Sequence, residues 1–241
     1  NFIMQRILYR LSIVSLVCTM LVMLAGSIVR MTGSGMGCPD WPQCFGYLIP
    51  PTDIETLIWS PSRSFDKGNI IIQDEALLVA NADFTSGEAF QESNWEAYTK
   101  HDYAIFNPFH TWVEFINRLI GAFMGLPVLA LALLSFSMFK KDIIIPILAW
   151  VGLFLLGFEA WLGKVVVDGN LVPHQITYHM FGAIGLVAVF IFLAVRLKSM
   201  KLTFQLKRNR TTILIGVTGI VLLLIQIFLG TSVREEVDAI G

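Results

Sequence analysis

The sequence predicts an all-α protein whose helices cross a membrane, and two observations support this prediction. Hydrophobic residues make up 55% of the chain, charged residues only 15%, and the mean hydropathy is +0.68. Soluble domains rarely combine such values. The apolar residues are also gathered into runs of about 20 residues, the length that crosses a bilayer core of about 30 Å. Because only a helix satisfies its own backbone in an isolated run, we expect a polytopic bundle of about five helices.

The apolar runs divide the chain into membrane and connecting segments. They are Ile7–Val29, Trp112–Phe139, Ile143–Leu162, Ile176–Leu197 and Thr211–Leu229.

These runs predict the domain organisation. We expect the first transmembrane helix within residues 1–30, an extracytoplasmic loop over 31–111 and helices two to four within 112–197. A basic cytoplasmic loop is expected over 198–210, and the fifth helix within 211–241.

The distribution of positive charge predicts the orientation. Basic residues precede the first run, fill the turn after the second at Lys140 and Lys141, and crowd the connection before the fifth. The positive-inside rule therefore places the N-terminus in the cytoplasm and the 31–111 loop outside. No basic block indicates a nucleic-acid partner.

The 31–111 loop opens with a motif rich in glycine, proline and cysteine, Gly33 to Cys44. Such a loop suits a rigid lid or a redox-sensitive element over a site in the membrane. Cys38 and Cys44 fall outside, where a disulfide persists. Two free thiols or a metal site remain as alternatives, although no further Cys or His lies nearby to complete a tetrahedral set. Farther along, Gln73–Leu78 is expected to form a short helix.

A polar stripe enters the second apolar run. His110, Glu114 and Asn117 are spaced i, i+4 and i+7, so they share one helical face, with Arg118 alongside. A carboxylate in such a desolvated position is suited to proton transfer. The alternative is an i, i+4 pair of Glu114 with Arg118 that only neutralises both charges.

The fourth run carries His179 near its external start. Imidazole is the usual axial ligand of haem iron, and facing helices of a bundle can clamp a planar cofactor. A lone histidine is also often a hydrogen-bonded core residue. His174 and His101 are less favourably placed. Arg30, at the external end of the first run, could neutralise a haem propionate or extend to the membrane interface.

Together these residues resemble the haem A synthase family. The resemblance is carried by Gly33-Ser34-Gly35 leading into the Cys38–Cys44 loop, by Glu114–Arg118 and by His179. Repeated Leu-Gly-x-x-Val helix ends reinforce it. It covers nearly the whole chain except the middle of the external loop.

The resemblance implies an architecture and a reaction. Such proteins have eight helices in two similar four-helix halves, so we expect this chain to be a fragment that covers the first half and the start of the second. They oxidise a methyl group of haem O to a formyl group, by oxygen-dependent hydroxylation and loss of water, and so supply haem A to terminal oxidases. Haem O is then the substrate, and a haem b cofactor is expected in the missing half.

The resemblance also assigns residues. Glu114 matches the candidate catalytic acid, His179 an axial iron ligand, and Cys38 with Cys44 the disulfide. We expect Arg118 and Arg30 to position haem propionates.

One position departs from the family pattern. The family usually has histidine where this chain has Asn117, and an amide is a poor iron ligand. Two hypotheses follow. Either His110 replaces the missing ligand, or His179 binds the iron alone.

Location, partners and rival functions complete the expectations. The resemblance implies a bacterial plasma membrane or a mitochondrial inner membrane, with the N-terminus in the cytoplasm or matrix. Besides lipid and haem O, haem O synthase, cytochrome oxidase assembly proteins, an external electron donor and a second copy of the chain are candidate partners. The alternative functions are a non-catalytic haem carrier or oxidase assembly factor, and an electron-transfer cytochrome.

Overall fold

A computed structural model describes residues 2–99, 105–168, 173–199 and 210–240 of the protein. Five long helices occur in this part of the chain: α1 (Phe2–Met31), α2 (Pro108–Ser135), α3 (Ile144–Asp168), α4 (Pro173–Ser199) and α5 (Arg210–Ile240). Each contains a stretch long and apolar enough to cross a membrane. The predicted helical membrane protein is therefore confirmed. The helices begin earlier or end later than the apolar runs because their polar ends continue the helix beyond the hydrocarbon stretch.

The chain divides into two compact units, which are described separately. The helical unit comprises Asn1–Leu21, Ala122–Val166 and Leu171–Gly241, and the loop unit comprises Val22–Gly121 and Val167–Asn170.

The helical unit has an apolar core drawn from α1 to α4. Gly152 of α3 allows close approach of α4, since a Cβ built there would lie 3.1 Å from the Phe190 ring. Such close contact at small residues is typical of membrane helix packing. The following core side chains are almost fully buried: Leu8, Met124, Val128, Leu131, Ile145, Phe190 and Leu193.

Asp142 fixes the start of α3 and connects it to α4. Its Oδ1 accepts a hydrogen bond from the Ile144 backbone N–H at 3.1 Å, which caps the helix. Its Oδ2 accepts a 2.6 Å bond from Arg196 Nε near the end of α4. One carboxylate thus satisfies a helix terminus and neutralises an arginine.

The loop unit begins where α1 ends. Gly33 adopts a left-handed conformation (φ 69°) that stops the helix, and a short 3-10 turn leads into the segment 37–46, which we call the cysteine loop. Cys38 and Cys44 are joined by a disulfide, so the predicted bond is confirmed. Both cysteines are buried.

The remainder of the external segment forms two small antiparallel sheets. Strand β1 (Ser64–Phe65) pairs with β4 (Phe84–Thr85), and a second sheet has the order β2 (Ile70–Gln73), β3 (Ala76–Ala80), β5 (Trp95–Ala97). The sheets have their own core, in which Phe65 packs against Phe84 and Trp95.

The prediction of a short helix over Gln73–Leu78 is wrong. This segment contains the turn of a hairpin, with Gln73 paired to Ala76. Asp74 and Glu75 both have positive φ angles, 49° and 63°, which is the requirement of a two-residue hairpin turn. The β-branched run at Ile70 to Ile72 favours the strand.

The cysteine loop packs directly on the start of α2. A Cβ built at Gly37 would lie 2.5 Å from the His110 carbonyl group and 2.7 Å from the Thr111 nitrogen. Thr111 Oγ1 also donates a 2.9 Å hydrogen bond to the Gly37 carbonyl. Since the obstructing atoms belong to the backbone, only glycine allows this approach.

We expect Asp142→Ala to destabilise the protein by about 1–2 kcal/mol, because it removes a helix cap and the partner of Arg196. Asp142→Asn retains a capping oxygen and should lose less. Thermal unfolding in detergent measures both variants. Equal losses would show that the cap contributes little.

We expect Gly37→Ala to displace the cysteine loop from α2, at a cost of about 1–3 kcal/mol, because overpacking against backbone cannot relax cheaply. The disulfide should then be reduced faster by a membrane-impermeant phosphine. Gly87→Ala is the matched control, since a Cβ there meets no atom within 4 Å. Identical reduction rates in the two variants would contradict this account of the packing.

Candidate functional site

Glu114 is the centre of a buried polar cluster in the loop unit. The residue is only 3% exposed. Its Oε2 accepts a 2.9 Å hydrogen bond from the Cys38 backbone N–H, and its Oε1 is paired with the Arg118 guanidinium. The i, i+4 pair considered from the sequence is therefore present. The backbone donor from the cysteine loop adds a second partner.

Arg118 ties the cysteine loop to α2. Its Nη1 donates to the carbonyl oxygens of Asp40 at 2.7 Å and Gln43 at 3.0 Å, and its Nη2 reaches the Cys38 carbonyl at 3.4 Å. The planar guanidinium carries five donors in a fixed fork, which suits this multiple recognition. One side chain thus holds the loop on both sides of Asp40 and neutralises Glu114.

Asp40 closes the cysteine loop from within. Its Oδ1 accepts a bond from the Phe45 N–H at 2.6 Å, and its Oδ2 one from the Gly46 N–H at 2.8 Å. Burial raises the pKa of Asp40, while these two N–H groups and Arg118 act in the opposite direction. The sequence motif includes Asp40 without revealing this role. An acidic residue between two cysteines was the available signal.

His110 and Asn117, the other residues of the stripe, have different surroundings. His110 Nδ1 lies 2.9 Å from Ser34 Oγ, so the segment before the cysteine loop holds the ring. Asn117 Oδ1 is buried and has no hydrogen-bond partner in the described part of the chain. A Cβ at Gly26 of α1 would lie 3.9 Å from it. A buried acceptor without a donor calls for a water or a ligand group.

His179 lies in the helical unit, on α4. Its Nδ1 is 2.7 Å from Oε2 of Glu159 on α3. The Glu159 residue is 5% exposed, whereas the His179 side chain is 43% exposed. Glu159 was not predicted as a site residue, although a lone carboxylate in an apolar helix was a usable signal.

The remaining candidates are less well defined. Arg30 is in the last turn of α1 and is half-buried. His101 lies outside the described residues. His174 is in the first turn of α4, but its side chain is outside the described part.

The residues present fit a haem better than a bare metal ion. No group of three or more His, Cys, Asp and Glu side chains that could hold an ion occurs among the residues described. Haem iron, in contrast, takes only one or two axial protein ligands. A half-exposed imidazole whose Nδ1 meets a carboxylate matches the usual environment of a metal-binding histidine.

Comparison with known proteins identifies the family. The family model described as "Cytochrome oxidase assembly protein" and named COX15-CtaA matches residues 9–60 and 67–240.

Individual relatives extend the match. The chain is 25% identical to the Heme A synthase of Shewanella oneidensis, over 90% of this chain and 54% of that protein. It is 24% identical to the Heme A synthase of Rickettsia prowazekii, over 95% of this chain and 62% of that protein. A shorter match, 39% identical, covers 24% of this chain and 20% of the Heme A synthase of Bacillus licheniformis. No solved structure matches the chain significantly.

The family match covers nearly the whole chain, while the chain spans little more than half the length of the first two relatives. The family and the five apolar helices establish an integral membrane protein. The resemblance inferred from the cysteine loop, the α2 stripe and His179 is thus confirmed, and the chain belongs to the COX15-CtaA family of cytochrome oxidase assembly proteins.

Proposed function

We propose that this protein acts as a haem A synthase, which oxidises the methyl group of haem O to a formyl group for terminal oxidase biogenesis. The observation that carries the proposal is the buried carboxylate of Glu114, held by Arg118 and by the Cys38 N–H inside an apolar helix. The relatives described above, all named Heme A synthase, support the same activity. None of these three is named as a carrier or an electron-transfer cytochrome.

Glu114 is proposed as the catalytic acid. Each hydroxylation of a methyl group by dioxygen consumes two electrons and two protons and releases one water. A second hydroxylation gives a gem-diol, which loses water to become the aldehyde. A carboxylate in a water-poor site can deliver and accept these protons. We propose that an external donor supplies the electrons.

His179 is proposed as an axial ligand of the haem iron. Its exposed imidazole and its carboxylate neighbour Glu159 support this role. For Asn117, which occupies the family's usual histidine position, we propose that the buried Oδ1 accepts a hydrogen bond from bound substrate or water. His110, held by Ser34, is the remaining candidate for a second ligand.

The arginines are proposed to act differently from one another. The guanidinium of Arg118 donates hydrogen bonds to Glu114 and to carbonyl groups of the cysteine loop. Its contribution to propionate binding would therefore be indirect, through the loop it holds. Arg30 remains a candidate for direct propionate contact at the end of α1.

The wider assignments follow from the family and the charge pattern. We propose that the N-terminus faces the cytoplasm or matrix, with the cysteine loop outside, in a bacterial plasma membrane or a mitochondrial inner membrane. We also propose a haem b cofactor in addition to the haem O substrate. Haem O synthase and oxidase assembly proteins are the proposed neighbours that supply substrate and receive product.

We expect Glu114→Gln in the full natural protein to reduce formation of haem A and of its hydroxylated intermediate by at least about 100-fold, since general acid–base catalysis contributes roughly 10²–10⁴-fold. Haem binding should persist. The assay is chromatography of haems extracted from cells that make haem O but no haem A. The control is Glu88→Gln, at an exposed position of the external segment. Normal product from Glu114→Gln, or bound but unconverted haem in the wild type, would overturn the proposal.

We expect His110→Ala to alter iron ligation, because Ser34 engages the Nδ1 of this ring and leaves Nε2 as the nitrogen that can bind iron. The haem absorption spectrum of the purified protein tests this, with His179→Ala beside it. A changed spectrum in His110→Ala would show that His110 replaces the family histidine absent at Asn117. An unchanged haem spectrum would contradict this and leave His179 to bind the iron alone.

A further inference from the structure

Glu159 is a buried carboxylate in α3, a helix whose other residues are almost all apolar. Ionisable groups inside membrane helices are costly and usually face a partner or a site. Here the partner is His179 of α4, whose Nδ1 is 2.7 Å from Oε2. The ring N–H is not aligned with the oxygen, and neither Glu159 oxygen has a hydrogen-bond partner among the described residues.

Two glycines surround the pair, one on each helix. Gly182 lies one turn beyond His179, and a Cβ built there would overlap the Glu159 carboxylate. Gly163 lies one turn beyond Glu159, and a Cβ there would come within 3.8 Å of Cε1 and 3.9 Å of Nε2 of His179. The absence of a side chain at Gly182 leaves room for the Glu159 carboxylate. The absence of one at Gly163 leaves space beside the Cε1–Nε2 edge of the His179 ring.

We propose that Glu159 is a positioning residue for His179, which it holds through Nδ1 so that Nε2 is the nitrogen presented to haem iron, and that Gly182 provides the room for this contact. The inference rests on the proposed iron ligation by His179. An imidazole has one donor and one acceptor nitrogen when neutral. A carboxylate at Nδ1 keeps the proton on that nitrogen and leaves the lone pair on Nε2.

The contact has a consequence for the iron. A carboxylate partner makes an imidazole ligand more basic and fixes its orientation. The stronger donor stabilises ferric over ferrous iron, so loss of the carboxylate raises the reduction potential of the haem. A carboxylate that served only to hold α3 against α4 would change helix stability and leave this potential unaltered.

The test is a potentiometric titration of the full natural protein, purified with its haem and followed by visible absorption. His179→Ala first identifies the spectral component that depends on His179. In Glu159→Gln we expect that component to shift to a higher potential and its haem affinity to fall about tenfold, as outer partners of metal ligands typically show. If His179→Ala removes no component, the proposed iron ligation fails. If it removes one whose potential and affinity Glu159→Gln leaves unchanged, the role of Glu159 is overturned while the ligation stands.

A matched pair of glycine variants tests the same contact while the Glu159 and His179 side chains are both retained. Gly182→Ala should displace the carboxylate and reproduce the shift of Glu159→Gln. Gly185→Ala, one turn farther along α4, gains the same helix propensity and meets no atom within 4 Å, so it should behave as wild type. If Glu159→Gln does not fold, this pair of variants still tests whether Glu159 positions His179. Equal potentials for Gly182→Ala and Gly185→Ala would overturn the inference.

Discussion

The guanidinium of Arg118 is the interaction on which the loop unit depends. It neutralises Glu114 within α2 and donates to three carbonyl groups of the cysteine loop. Removing one partner from such a buried pair is far more costly than exchanging both for apolar residues, because it leaves an uncompensated charge. The carboxylate and the loop above it are therefore one structural element. A change in the loop reaches Glu114 through the arginine and through the Cys38 N–H.

The two units show opposite ways of placing a carboxylate in an apolar setting. Glu114 is surrounded by donors: a guanidinium from its own helix and a backbone N–H from the loop. Glu159 lies beside the His179 imidazole, and its carboxylate occupies space that is available because Gly182 has no side chain. The first arrangement fixes the position of the carboxylate through hydrogen bonds to both of its oxygens. The second arrangement suits the proposed role of Glu159, which is to orient the His179 ring.

The sequence predicted what depends on local pattern. Apolar runs of membrane length gave the five helices, and the i, i+4 spacing gave the Glu114–Arg118 pair. The expectation that Cys38 and Cys44 lie in an external loop predicted the disulfide, which the structure contains. Three features could not be predicted, because they depend on contacts between residues far apart in the sequence or on backbone conformation. They are the hydrogen bond from the Cys38 N–H to Glu114, the space that Gly182 leaves for Glu159, and the hairpin turn at Asp74 and Glu75.

The partners of Glu114 also differ in when they become available during synthesis. Arg118 is in the same helix, so the pair can form as soon as α2 is helical and can reduce the cost of passing two charges into the bilayer. The Cys38 N–H is 76 residues away along the chain, and it contributes only once the cysteine loop has folded and docked on α2. Membrane insertion of α2 can thus precede formation of the Cys38 contact, which requires the folded cysteine loop.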